Sequence, residues 1–159
     1  RAERDVEIAL SPGFRWGTTL LPEQPITIDD MYTQTSMNYP AVYRTEMTGA
    51  QLKTMLEDVC DNLFNPDPYY QQGGDMVRVG GMSYECAPKE VMGKRIQNMA
   101  LTKTGAAIEA DKNYVVGGWA SVNPDTQGPA IYDLLENYIT RKKRVTPSDA
   151  STVTVKGMS

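Results

Sequence analysis

The sequence contains no histidine, and that absence removes more chemistry than any other feature of its composition. Histidine is the commonest ligand of transition metals and the side chain whose charge changes near neutral pH. Without it the chain can build neither a histidine-based nucleophilic triad nor a histidine-ligated dinuclear metal centre. Cysteine is almost as scarce, with Cys60 and Cys86 the only two. They lie too far apart for a C-x-x-C motif and are too few for a structural zinc site. Two readings of them stay open, a disulfide made in an oxidising compartment or two separate buried thiols. Basic tracts are missing as well: 16 lysines and arginines stand against 20 aspartates and glutamates, with no arginine-rich stripe. That balance argues against nucleic acid as a partner. No apolar run approaches the roughly 18 residues of a membrane span, and no signal peptide is visible. The chain opens at Arg1 without an initiator methionine, and so reads as a fragment whose upstream part, any secretion signal included, is out of view.

What is present fits a single domain over residues 1–159, long enough to bury a core. Val6-Glu7-Ile8-Ala9-Leu10 alternates as a strand and runs into the turn Ser11-Pro12-Gly13. Thr27 precedes Ile28-Asp29-Asp30-Met31-Tyr32, a short helix with an acidic first turn. Residues 41–47 read as a strand with Ala41, Tyr43, Thr45 and Met47 on one face. Thr48-Gly49-Ala50-Gln51 has the form of a capping box. Leu52, Met55, Leu56, Val59, Cys60 and Leu63 then recur at helical spacing, and Asn65-Pro66-Asp67-Pro68 ends the run. Two glycine pairs, Gly73-Gly74 and Gly80-Gly81, bracket a β-prone segment that leads into Met82-Ser83-Tyr84-Glu85-Cys86, which reads as a hairpin or bulged strand. No helix opens after it, so neither a dinucleotide fingerprint nor a P-loop fits. Strands are expected over 95–102, 114–118 and 152–156, and a helix after Gly128-Pro129 with Ile131, Leu134, Leu135, Tyr138 and Ile139 on one face. Arg141-Lys142-Lys143-Arg144 falls at that helix's C-terminus, where positive charge suits the dipole. Together these elements give an α+β (mixed α/β) fold, a mixed sheet with helices packed on it.

Three segments could carry chemistry. In Ser11-Pro12-Gly13-Phe14-Arg15-Trp16-Gly17 an arginine sits on a turn between glycines and aromatics. Its guanidinium could fork onto phosphate, sulfate or carboxylate oxygens, or could simply stack on a neighbouring ring. In Gly117-Gly118-Trp119-Ala120-Ser121-Val122-Asn123-Pro124 a strand ends in glycines and presents an indole, which could form a stacking surface or cap the core. Ser36-Met37-Asn38-Tyr39-Pro40 is a polar and aromatic turn just before a strand. None supplies a nucleophile together with its base.

The order of these segments resembles the C-terminal domain of the 5′-nucleotidase family: a turn with Gly-x-Arg, an acidic short helix, and a strand leading to Thr-Gly-x-x-Leu and a helix ending in Leu56-Glu57. Val79-Gly80-Gly81-Met82, Gly93-Lys94-Arg95-Ile96, and Tyr114 leading to a glycine-rich loop follow in the same order. Within the family, residues 61–81 (Asp61-Asn62-Leu63-Phe64-Asn65-Pro66-Asp67-Pro68 through Gly80-Gly81) and Gly118-Trp119-Ala120-Ser121-Val122 are similar to the SoxB-type thiosulfohydrolases of bacterial sulfur oxidation. The resemblance covers about residues 6–145.

It implies a two-domain hydrolase of the periplasm, with an N-terminal metallophosphoesterase domain outside this chain that holds two metal ions, manganese in the SoxB branch. The substrate it implies is a thiosulfonate on a cysteine of a SoxYZ-type sulfur carrier, hydrolysed to release sulfate in thiosulfate oxidation. This chain would supply substrate contacts and bind no metal itself, and alone it would be inactive. The family's Gly-x-Arg arginine falls on Arg15, placing Gly13 in the same turn. The two phenylalanines that sandwich a nucleobase in nucleotidases have no match; one position falls near Asn38 and the other beside Trp119-Ala120. Asn123-Pro124-Asp125-Thr126-Gln127 stands where nucleotidases carry Gly-Gly-Asp-Gly. Substrate binding is therefore expected of Gly13, Arg15, Asn38 and Trp119. The alternatives are a 5′-nucleotidase or nucleotide-sugar hydrolase, or, from another class, a non-catalytic partner-docking module.

Overall fold

A computed structural model describes residues 4–13, 19–35, 38–146 and 152–157. In chain order the elements are β1 (Ile8–Ser11), α1 (Ile28–Thr35), β2 (Tyr43–Thr48), α2 (Gly49–Phe64), β3 (Arg78–Gly80), β4 (Met82–Cys86), β5 (Ile96–Leu101), β6 (Asn113–Gly118), α3 (Ile131–Lys142) and β7 (Val153–Val155). The strands form a four-stranded sheet in the order β2-β6-β1-β3 and a three-stranded sheet in the order β5-β4-β7. Both are mixed. In the first, β1 runs parallel to β6 while β2 and β3 run antiparallel to their neighbours. In the second, β4 is antiparallel to β5 and parallel to β7.

Local chemistry sets the helix starts. The Thr48 hydroxyl accepts from the Gln51 N–H at 3.1 Å, and the Gln51 side chain accepts from the Thr48 N–H at 2.8 Å, the reciprocal box the sequence predicts. Thr27 and Asp30 repeat the device at α1: the Thr27 N–H and hydroxyl donate to the Asp30 carboxylate, and the Asp30 N–H donates back to the hydroxyl. Those bonds hold the Asp30 carboxyl below its usual range. The α3 start, at Ala130, has no side-chain cap.

The core lies where α2 packs against both sheets. Leu52, Leu56 and Cys60 from the helix meet Ile8, Leu10, Tyr114 and Val116 of the first sheet and Met82, Tyr84, Cys86 and Ile96 of the second. One charged group belongs to this core. Glu57, 3% exposed, accepts from the backbone N–H of Gly93 at 2.8 Å and of Ile96 at 2.7 Å, with a longer bond from Arg95. Arg95, 2% exposed, donates from Nε to the Glu90 carbonyl and pairs through Nη1 with Asp61. The pair holds the Asp61 carboxyl below its usual range, chiefly through the Arg95 hydrogen bond. The turn before β5 is thus clamped onto one side of α2.

The glycine-bracketed run differs from the sequence expectation. β3 and β4 do not pair as a hairpin; β3 joins β1 in the first sheet, and β4 opens the second. Gly81, at φ +86°, turns the chain from one sheet into the other, a backbone region glycine enters without penalty. The irregularity expected here falls in β4, where the register against β5 shifts between Ser83 and Glu85.

Candidate substrate-contact edge

Strand direction gathers separate stretches of sequence at one edge of the first sheet. β1 and β6 are parallel, so Ser11 and Gly118 end side by side, with Leu10 opposite Gly118. Because β2 is antiparallel to β6, its first residue, Tyr43, sits opposite Gly118 at the same edge. β3 is antiparallel to β1, which brings Arg78 opposite Ser11. Four connections therefore enter or leave together: the turn after Ser11, the segment before β2, the Gly73–Val77 run, and the loop after Gly118. Carboxyl ends of adjacent parallel strands are where sheets of this kind place ligands.

Named contacts tie these connections to one another. The Trp119 indole N–H donates to the Ser11 hydroxyl at 3.0 Å, joining the β6 loop to the β1 turn. The Ala120 N–H donates to the Tyr39 carbonyl at 3.1 Å, joining the same loop to the segment before β2. Ala120 has φ +63°, a left-handed bend uncommon for a residue with a Cβ. Gly13 lies so close to Asp75 that any side chain there would collide with the aspartate, so the β1 turn packs on the Gly73–Val77 run. On the far side, Val42 donates to the Pro129 carbonyl at 2.8 Å and Ile131 to the Pro40 carbonyl at 2.9 Å. Gly128 presses against the Val42 carbonyl and leaves no room for a Cβ.

Two hollows result. The smaller, about 230 Å³, is lined by Asn38, Tyr39, Ser121, Asn123, Thr126 and Gly128 among others. Its floor loop is internally braced: the Asn123 side chain accepts from the Asp125 N–H at 3.0 Å, and the Asn123 carbonyl from the Thr126 N–H at 3.1 Å. Asn38, Ser121, Asn123 and Thr126 share its lining with Tyr39 and with the apolar Pro40, Ala41, Pro124 and Ala130, so its wall is mixed and holds a single ring among the described residues. The larger, an open cleft of about 610 Å³, lies beneath Trp119 and Ser11 between the sheet and α3. Ala9, Gly80 and Gly117 line one side and Leu134, Leu135 and Tyr138 the other.

Of the residues expected to contact substrate, Asn38 lines the smaller hollow. Trp119 is 8% exposed and anchors the adjoining loop through Ser11. Gly13 stands in the turn packed on Asp75. Arg15, with Phe14 and Trp16 beside it, lies outside the described residues, as do Ser36 and Met37. Tyr39 and Ser121 fall in two of the segments singled out from the sequence, whereas Thr126 as a lining residue and Asp75 as the partner of Gly13 were not found by sequence reasoning. The signal for Asp75 was its place in a glycine-rich string, and the signal for Thr126 was the Asn-Pro-Asp-Thr turn itself. Among the described residues no group of three histidine, cysteine, aspartate or glutamate side chains is placed to hold a metal ion. No helix of the described residues is long and apolar enough to cross a membrane.

Comparison with known proteins now bears on this geometry. The 5′-nucleotidase C-terminal domain family matches residues 1–123. Comparison with curated protein sequences finds no match. Among solved structures, the sulfate thiohydrolase SoxB of Thermus thermophilus superposes with a TM-score of 0.89 at 34% identity, covering 99% of this chain and 30% of that one. A putative 5′-nucleotidase of Staphylococcus aureus gives a TM-score of 0.73 at 16% identity, covering 97% of this chain and 34% of that one. The NAD nucleotidase of Haemophilus influenzae gives 0.71 at 20% identity, covering 96% of this chain and 30% of that one. The chain thus spans about a third of the length of the structures it matches, and the two nucleotidases share with it the fold alone.

Proposed function

The chain belongs to the 5′-nucleotidase C-terminal domain family, and on that premise we propose that it is the substrate-recognition domain of a SoxB-type thiosulfohydrolase. In this reading it is one domain of a longer periplasmic hydrolase, joined to an N-terminal metallophosphoesterase domain. The substrate is a thiosulfonate on a cysteine of a SoxYZ-type carrier, and the product is sulfate. The observation that carries the reading is the likeness to SoxB over 99% of the chain at 34% identity, set against 16% and 20% for the nucleotidases. The shape of the edge supports it. Where a nucleobase would need two flanking rings, the described lining of the smaller hollow holds one, Tyr39, beside Asn38 and the braced Asn123–Thr126 loop.

In this reading the two manganese ions are held by the N-terminal metallophosphoesterase domain, and among the described residues no donor set for a metal ion is assembled. This chain's work is binding and orientation. Arg15 holds the oxygens of the terminal sulfur by a charged fork, where negative charge grows during displacement. Gly13, two positions before the arginine, packs directly on Asp75. Asn38 offers its amide to the same polar group, and Trp119 fixes the loop that forms the hollow's other wall.

The test is sulfate release by the full-length parent, manganese-loaded, from thiosulfonate-charged carrier, with 5′-AMP in parallel. Sulfate without phosphate is expected, and Arg15→Ala should lower turnover by about 10²–10³-fold, as for other lost electrostatic donors. Phosphate without sulfate would return the chain to the nucleotidases. Carrier binding without hydrolysis of either substrate would make it a docking module.

A further inference from the structure

The two cysteines, 26 positions apart in sequence, meet in the middle of the core. Cys60 Sγ lies 3.4 Å from Cys86 Sγ. Cys60 sits on the buried face of α2 and is 0% exposed; Cys86 ends β4 and is 3% exposed. Both are free thiols here. A disulfide needs sulfurs about 2.05 Å apart, so closing the pair requires an approach of roughly 1.4 Å, within reach of small side-chain rotations. The backbone around Cys86 is fixed on both sides, by Ile96 of β5 and Val155 of β7, with the Lys156 N–H donating to the Cys86 carbonyl at 2.7 Å. The bond would therefore tie α2 directly to the central strand of the second sheet.

We propose that Cys60 and Cys86 are a disulfide site, oxidised while the chain folds and sealed once the core has closed. The reaction consumes a disulfide oxidant, either oxidised glutathione or a dithiol–disulfide oxidase. One cysteine thiolate attacks the oxidant's S–S bond, forming a mixed disulfide and expelling a thiolate. The second cysteine thiolate then attacks the protein sulfur of that mixed disulfide, forming the Cys60–Cys86 bond and expelling the other thiolate. Two protons and two electrons leave the protein, and the oxidant's disulfide becomes two thiols.

Timing follows from burial. Exchange runs through the thiolate and needs access to a sulfur. In the folded chain neither sulfur is open to a reagent, and burial, with the Cys86 contact second, pushes the Cys60 thiol up to about 12. Oxidation is thus a reaction of the open chain, and reduction of the finished bond is blocked for the same reason.

The experiment uses the full chain, denatured and reduced, then refolded in a glutathione buffer containing the oxidised form. Afterwards it is denatured again and its thiols are counted by alkylation and mass. The expected product is a monomer two hydrogens lighter with no alkylatable thiol, melting about 5–10 °C above the reduced protein. The same reduced protein, folded first and then exposed to the same buffer, should keep both thiols until urea opens it. Any of three results would overturn the proposal: a folded product that retains both thiols, a glutathione adduct in place of the internal bond, or an oxidised form that melts no higher than the reduced one. Comparing two redox forms of one sequence avoids any substitution in the core.

Discussion

The two sides of the first sheet receive helices of similar sequence pattern and treat them differently. On one side, α2 puts Leu52, Leu56 and Cys60 at 0% exposure against Ile8, Tyr114 and Val116. On the other, α3 carries the same apolar periodicity, yet none of its residues is fully buried. The difference lies in what each helix faces. Ile8, Tyr114 and Val116 fill the space beneath α2. Beneath α3, Gly117, Ala9 and Gly80 stand abreast on three neighbouring strands and offer almost no side chain. A periodic apolar face predicts that a helix will lie against something; it says nothing of whether the surface opposite can fill the gap.

Four measurements would break or sharpen this contrast. The largest effect is expected on the α2 side, from Glu57→Ala. It strips the buried N–H groups of Gly93 and Ile96 of their acceptor, while the Arg95 side chain keeps Asp61 and the Glu90 carbonyl, at about 3–5 kcal/mol by urea unfolding. Next, Leu56→Ala should cost about 2–5 kcal/mol, whereas Leu134→Ala, which enlarges a space already open to water, should cost about 1 kcal/mol. Equal losses at these two leucines would end the contrast. At the loop edge, Trp119→Phe removes one hydrogen bond to Ser11 while keeping most of the ring's volume, for about 1 kcal/mol. Indole fluorescence would lose its buried component with it. The smallest effect is in the pH profile. Because Asp61's carboxyl is held below its unfolded value of about 3.9, its share of stability is present above that pH. It is lost as pH falls further, through the lowered folded-state value. Acid unfolding of Asp61→Asn should be less steep there, and an unchanged acid limb would show that the Arg95 pair contributes nothing to stability.

Much of the scaffold was legible because its signals are local. Thr48 and Gln51 announce the α2 start, Asn65-Pro66-Asp67-Pro68 its end, and the spacing from Leu52 to Cys60 its buried stripe. Glu57 was not legible. It follows Leu56 directly, and a charge in that position reads as the edge of a solvated face. Only the backbone of the Gly93-Lys94-Arg95-Ile96 turn, distant in sequence, explains its burial. The glycine-bracketed run misleads for a similar reason. A hairpin and a crossing between two sheets need the same residues at the turn, and only the partner strands distinguish them. For the candidate site, the three loops can be picked out separately by their glycines, aromatics and prolines. Their meeting depends on the parallel β1–β6 pair, a long-range pairing with no local signature. Arg15, the residue on which the functional proposal leans most, rests on its sequence setting between glycines and aromatics and on the family resemblance.

That pairing also sets an order of events. β6 lies between β1 and β2 and, among the described residues, bridges one to the other within the first sheet. β1, near the start of the chain, has to hold its place until Val116 arrives beside Ile8, and until then β2 lacks its sheet neighbour too. Contacts so distant in sequence make for slow folding, since a long loop must close before they repay it. A ribosome would have released most of the chain before this sheet could form. The Ser11, Tyr39 and Trp119 loops are joined by bonds that exist only once β6 is in place, so the candidate edge is assembled in one late step and not built up piece by piece.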